Sequence, residues 1–189
     1  MAKKYHIFNE PSALTSVAAF HDMFHLPVLP SPVIPDEKRC NLRVALLQEE
    51  LDELKTAILE NDIVAVADAL SDLQYVLSGA VLEFGLASRF KALFDEVQRS
   101  NMSKTCKTLD HALETQQYYL REKNTESFIE EREGEYLVYR SEDKKVLKSV
   151  YYSEANLESI VFDKEVIFCF FLAPKKNVAK LKYLKTISQ

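Results

Sequence analysis

Glycine is scarce: Gly79, Gly85 and Gly134 are the only three in 189 residues. Phosphate loops of the P-loop and dinucleotide-fold kinds need several glycines in close succession. Both are excluded, so any phosphate chemistry must use another device. Cysteine is nearly as sparse, with Cys40, Cys106 and Cys169 far apart, odd in number and without a Cys-x-x-Cys pair. That pattern suggests neither a disulfide framework nor a zinc site, and reduced thiols in a cytoplasm are the simpler reading. Positive charge is not in excess either. Twenty-four Lys and Arg face 29 Asp and Glu, a formal net charge of −5, so there is no global basic field to draw the chain onto nucleic acid or anionic membrane. A small anionic substrate would need local help from a few cations or from metal ions. The opening MAKKYHIFNEPS has no apolar stretch of the signal-peptide kind. Residues 63–82 are long enough to span a bilayer, but Asp68, Ser71, Asp72 and Gln74 interrupt them. That segment reads as a buried helix of a soluble bundle.

What is present is a helical pattern. Ser12 or Thr15 can cap a first helix running through Phe20 to Phe24, stopped before Pro27. A connector with prolines at 27, 30, 32 and 35 follows, too stiff and extended to continue it. A second helix is expected from about Asp36 to Glu60, and a third, capped by Asp62, to about Phe84. A fourth covers roughly 88–99 and a fifth 108–123. Beyond these, residues 127–130 and 136–140 flank Glu133-Gly134 and predict a hairpin, with a further extended piece at 145–152. The expected architecture is mainly α, a helical bundle with a small C-terminal β appendage. Residues 1–158 are taken as one domain, including a hairpin near 127–152, and 159–189 as a tail of unassigned role. That tail holds the apolar run 166–172 and the basic end KKNVAKLKYLK.

The chemistry is carried by carboxylates. On helix 2, Leu47, Leu51, Leu54 and Ile58 recur at helical spacing and define a core stripe. At about 100° per residue, Glu50 lies at the edge of that stripe, with Glu53 and Glu49 further round the same flank. A solvated acidic face is the bland alternative for these three. Helix 3 carries Asp68 and Asp72 as the only charges within 63–82, one turn apart on one face of an otherwise apolar segment expected to be buried. Buried carboxylates cost several kcal/mol each unless paired or ligated. They could pair with Arg43 or Lys91 from neighbouring helices. Five acids on two successive helices point instead to hard divalent cations: Mg²⁺, for which Mn²⁺ can substitute. Such ions bridge phosphate oxygens and lower the pKa of an attacking water, and a carboxylate free of ligation can orient that water. A di-iron bundle would need Glu-x-x-His motifs. His6, His21, His25 and His111 all lie more than 20 residues from these acids, which argues against one.

FHDMF (20–24), LRVALLQEELDEL (42–54), DALSDLQYV (68–76) and SNMSK (100–104) occur in that order. The set resembles the all-α nucleoside triphosphate pyrophosphohydrolase superfamily, which includes MazG, dimeric dUTPases and phosphoribosyl-ATP pyrophosphohydrolase. It is most like the phosphoribosyl-ATP pyrophosphohydrolase-like branch, and the likeness covers roughly 17–158. The resemblance implies a helical fold that assembles as an oligomer, a homodimer or a dimer of dimers. It also implies Mg²⁺-dependent hydrolysis of a nucleoside triphosphate to the monophosphate and pyrophosphate. Glu49, Glu50 and Glu53 match the family's EExxE ligands, and Asp72 matches the final acid of its ExxD pair. Ala69 occupies the place of the first acid of that pair and Asp68 sits one residue earlier, as a ligand or a water-orienting base. Glu49, Glu50 and Asp68 are thus the candidate catalytic groups.

Other residues are weighed beside these. Asn101 and Lys104, in a polar segment after helix 4, are candidates for contacts to the substrate and its phosphates, and Lys148 is a further one. His21 and Phe24 share a helix face with Phe20 and could wall a base pocket, although such a stripe also suits plain packing. Tyr75, close in angle to Asp72, could touch a phosphate or sugar. The expected partner is a nucleotide, with neither nucleic acid nor membrane. Two rival functions stay open: phosphoribosyl-ATP pyrophosphohydrolase, and a helical module that binds nucleotide without turnover.

Overall fold

Of the two caps the sequence predicts, that of Asp62 is realised, whereas Ser12 stands at the N-cap of the first helix without a side-chain cap hydrogen bond and Thr15 lies inside that helix. The Asp36 carboxylate accepts from the Arg39 amide and opens helix α2 (Glu37–Leu59). Asp62 accepts from the amides of Val64 and Ala65 and opens α3 (Ile63–Glu83). Between them Asn61 takes a left-handed conformation, φ 55°, which turns the chain back on itself so that α2 and α3 pack side by side. Helix α1 (Ala13–Met23) lies against α3. The computed structural model describes residues 6–162. It continues through a 3₁₀ turn (Ala87–Arg89), α4 (Phe90–Met102), α5 (Leu109–Lys123), strands β1 (Ser127–Arg132) and β2 (Glu135–Arg140), and α6 (Leu157–Val161). The fold is mainly helical with a small two-stranded appendage, as expected.

The proline-rich connector is strapped over the end of α3. The amides of Leu29 and Val33 donate to the carbonyls of Leu82 and Phe84 at 3.0 and 3.1 Å. Gly85, φ +67°, lies so close beneath it that a Cβ there would fall 1.8 Å from the Ser31 carbonyl oxygen. The hairpin turns at Glu133 and Gly134, both with positive φ, and pairs antiparallel from Ser127↔Arg140 to Arg132↔Glu135. It packs on α5 around a small core of Cys106, Ala112, Val138 and Leu147.

Three expectations need correction. First, residues 145–152 are not a strand. One bridge joins Tyr139 to Val146, after which the backbone is satisfied elsewhere: Ser149 N–H donates to the Lys104 carbonyl and Val150 N–H to the Thr115 hydroxyl. Second, α4 continues to Met102, so Ser100 and Asn101 belong to the helix rather than to the segment after it. Third, α3 is buried mainly in its second half, at Ser78, Gly79, Val81, Leu82 and Glu83, with Ala69 the one buried residue of its first half. Ile63, Val64 and Leu70 are exposed, and so are Leu51 and Ile58 of the stripe expected to be core on α2. One chain offers too few neighbours to cover them, because α4, α5 and α6 pack mainly with one another and with the hairpin. Among the described residues α3 is the one helix long and apolar enough to cross a membrane by length and composition. The short α6, capped by Asn156, was not foreseen. The run 166–172 and the basic end fall outside the described residues.

Candidate active site

The five sequence-selected acids face one another across the α2–α3 pair. Glu49, Glu53, Asp68 and Asp72 are exposed, and Glu50 is half-buried at their centre. Burial pushes the Glu50 carboxyl up, and the charges of Asp72, Glu53, Glu49 and Asp68 push it further the same way. Among the described residues none of the five forms an ion pair. The rival pairing is not realised: Arg43 binds Glu83, and Lys91 binds Asp95 at 2.5 Å. The expected desolvation of Asp68 and Asp72 is also corrected, since both residues are exposed. A cleft of about 500 Å³ opens beside the cluster, lined by Glu49, Glu53 and Asp68 and by two acids that sequence reasoning passed over, Asp52 and Glu60.

Among the described residues no three His, Cys, Asp or Glu side chains converge closely enough to cage a metal ion as they stand. The donor set itself fits a hard cation. It is all carboxylate oxygen, carries five formal charges and, among the described residues, is paired with no guanidinium or ammonium.

The buried acid of α3 is Glu83, one residue past the segment weighed from sequence. Its side chain is 1% exposed and binds both Arg39 and Arg43. Burial works against its ionised form, but the Arg43 and Arg39 guanidiniums outweigh that and hold the carboxyl below its usual range. His21 joins this network. It is 2% exposed, its Nδ1 lies 2.8 Å from the Pro27 carbonyl oxygen, and its Nε2 lies 3.4 Å from Arg43 Nη2. The tautomer that satisfies both contacts carries its proton on Nδ1. Gly79 makes room for the crossing, since a Cβ there would sit 2.6 Å from Arg43 Nη1.

His21, Phe20 and Tyr75 line a second cleft of about 200 Å³ between α1, α2 and α3, together with Arg39 and Arg43. Tyr75 meets Phe20 edge-on at 5.7 Å, and Phe24 packs on Phe20 at 4.3 Å without lining that cleft. The downstream candidates form a group of their own. Lys104 Nζ donates to Asn101 Oδ1 at 2.8 Å, and Lys148 Nζ sits 4.2 Å from the centre of the Tyr152 ring. None of the three lines either cleft.

Residues 17–101 match the family described as phosphoribosyl-ATP pyrophosphohydrolase. The match takes in α1 to α4 and all five acids, and it ends before Lys104 and Lys148. No curated protein matches the chain. Residues 17–101 therefore form a domain of the phosphoribosyl-ATP pyrophosphohydrolase family, part of the MazG-like pyrophosphohydrolase superfamily, whose members are hydrolases acting on phosphoric anhydride bonds.

Proposed function

We propose that the chain hydrolyses a nucleoside triphosphate to the monophosphate and pyrophosphate, using Mg²⁺ held by Glu49, Glu50, Glu53 and Asp72 with Asp68 beside them. The observation that carries this reading is the group of five acids on α2 and α3, without a cationic partner among the described residues, inside a pyrophosphohydrolase domain. Bound there, Mg²⁺, or Mn²⁺ in its place, would offset the charge of the phosphate oxygens and acidify a water. The chain's own groups supply position and proton handling. Glu49, Glu50 and Asp68 are the carboxylates that orient the water, and any of them free of ligation takes its proton at a carboxylate oxygen. Asn101 and Lys104, joined to each other, act as one polar unit toward the substrate, with Lys148 a further cation for its phosphates.

That these three residues line neither cleft within one chain, and that leucines and isoleucines of α2 and α3 stand bare, support assembly with further copies as a homodimer or a dimer of dimers. Each large apolar side chain covered contributes about 1.5–3 kcal/mol. Light scattering is expected to give at least twice the 21.7 kDa of one chain; a mass of one chain at micromolar concentration would oppose this. The reading places the protein in the cytoplasm, with neither nucleic acid nor membrane as partner.

The test is pyrophosphate release from a panel of canonical and modified NTPs and dNTPs, with and without Mg²⁺. Metal-dependent release, strongest for one or two nucleotides, is expected. No release from any of them would overturn the reading and favour phosphoribosyl-ATP as the compound to try next.

A further inference from the structure

Helices α2 and α3 carry the same seven-residue pattern. On α2, Val44, Leu51 and Ile58 recur at that interval with Leu47 and Leu54 between them. On α3, Ile63, Leu70 and Leu77 recur likewise, with Val66 and Leu73 between. Apolar residues spaced alternately three and four apart belong to helices that pack in bundles and coiled coils. The residues in between are half-buried, where α2 and α3 meet. The six at the seven-residue interval are 40–76% exposed. One seam of the pattern is thus filled within the chain and a second is bare. The bare residues share a face. At about 100° per residue, the α2 stripe stands about 100° round its helix from the buried Arg43 and Ala57, and the α3 stripe about 100° in the same sense from the buried Ala69. Because the helices run antiparallel, equal rotations bring both stripes to one side of the pair. The opposite rotation takes Glu49, Glu53, Asp68 and Asp72 to the other side. The three-residue turn at 60–62 sets the stripes level, Ile58 with Ile63, Leu51 with Leu70 and Val44 with Leu77.

We propose that this face docks on the same face of a second copy, each chain supplying half of a four-helix bundle whose acid clusters look outward. The inference rests on the assembly proposed above and names its surface. Either stripe alone suits any apolar cover. Two stripes, level and on one face, suit a pair of helices with the same spacing, and a second copy presents such a pair. A lipid surface is the rival occupant, since α3 is long and apolar enough to cross a membrane. Lipid, however, takes apolar residues at any spacing and gives no reason for the repeat. The size also fits. The pair is two helices wide, about 20 Å, and about 30 Å long, or about 600 Å² on each copy. Two such faces bury about 1,200 Å², within the range of specific interfaces. Leu51 and Leu70 form the middle rung. A two-fold axis through the face therefore brings them against their own counterparts, whichever way the second pair runs.

Light scattering of the full chain and its variants tests this. Leu51→Glu and Leu70→Glu are each expected to lower the mass to one chain at micromolar concentration. The helical circular dichroism is expected to stay, because both side chains are already half-exposed within one chain. Leu120→Glu, an equally exposed leucine on α5, is expected to leave the mass unchanged. Leu51→Lys is expected to dissociate alone and to reassociate when mixed with Leu51→Glu, since the middle rung then joins opposite charges. Should glutamate unfold the chain, Leu51→Ala keeps helix propensity and is expected to raise the dissociation constant at least about tenfold. A wild type that assembles while Leu51→Glu and Leu70→Glu keep its mass overturns the proposal and leaves assembly to another surface. Dissociation by Leu120→Glu as well, or no reassociation on mixing, also overturns it. A single-chain mass for the wild type removes the assembly reading together with this one, and flotation of that single chain with phosphatidylcholine vesicles gives the face to lipid. None of these readouts depends on turnover, so the hydrolase reading stands or falls apart from them.

Discussion

Replacing Glu50 by Gln, or Asp72 by Asn, removes most of the pyrophosphate release while leaving the helical circular dichroism unchanged. Each exchange keeps the shape of the side chain and deletes one negative charge from a group of five. Glu50 is the half-buried member, and its carboxyl is held up first by burial and then by four neighbouring anions. It is the group through which the charge of the cluster is most strongly coupled. Loss of one electrostatic contact made to a transition state costs about 10²–10³ in rate, and a drop of that order is expected in kcat/KM for either variant. The fold has no reason to suffer. None of the five acids pairs with a cation among the described residues, so deleting a charge relieves repulsion instead of orphaning a partner. Unchanged or slightly raised thermal stability in EDTA is therefore expected alongside the lost activity, the pattern of a site whose charges serve chemistry at some cost to stability. Unchanged turnover in both variants would remove the site from this helix pair.

The opposite pattern is expected at the other end of α3. Glu83→Ala leaves Arg39 and Arg43 without the carboxylate that binds both, and Arg43 is itself buried. Breaking a buried pair by removing one partner costs about 3–5 kcal/mol, which urea unfolding at pH 7 reads as a fall in the midpoint. The pH dependence follows from the direction of the Glu83 shift. Its native carboxyl is held below the ordinary value despite burial, because the Arg43 and Arg39 guanidiniums outweigh it. The stability it supplies is present above the ordinary carboxyl range and is lost as pH falls through the lowered native value. Other carboxyls held low by arginines, Glu96 and Asp143 at about 2 each, add to the acid loss in both proteins. The difference between wild type and variant isolates Glu83. That difference is expected to shrink as pH falls from 7 through the carboxyl range, and a constant difference would contradict the ion-pair account.

These two sites differ in how far the sequence reveals them. The cap at Asp62, the helix starts near Asp36 and Thr108 and the Glu133-Gly134 turn are local chemistry, and they stand where the residues predict; the cap expected of Ser12 or Thr15 does not form. The acid cluster is nearly as legible. Its members lie on two successive helices joined by a three-residue break, so the turn at residues 60–62 is enough to bring them together. The Glu83 network is not local. It joins residues 40 and 44 positions apart, and its register is set by how α2 and α3 pack. The periodicity of either helix alone carries no sign of it. The apolar stripes of α2 and α3 are plain in the sequence, but a stripe does not say what covers it, and within one chain Leu51, Ile58, Ile63 and Leu70 stay exposed. Residues 145–152 have strand composition. Their amides find acceptors on Thr115 and Lys104 instead of a neighbouring strand, a choice made by tertiary packing.

The most direct measurement of the central claim is phosphorus NMR of a dNTP hydrolysed in Mg²⁺ by the wild-type chain and by Glu50→Gln. The account predicts monophosphate and pyrophosphate in equal amounts from the wild type, and almost none of either from the variant. Diphosphate with inorganic phosphate as products, or equal rates in the two proteins, would contradict it.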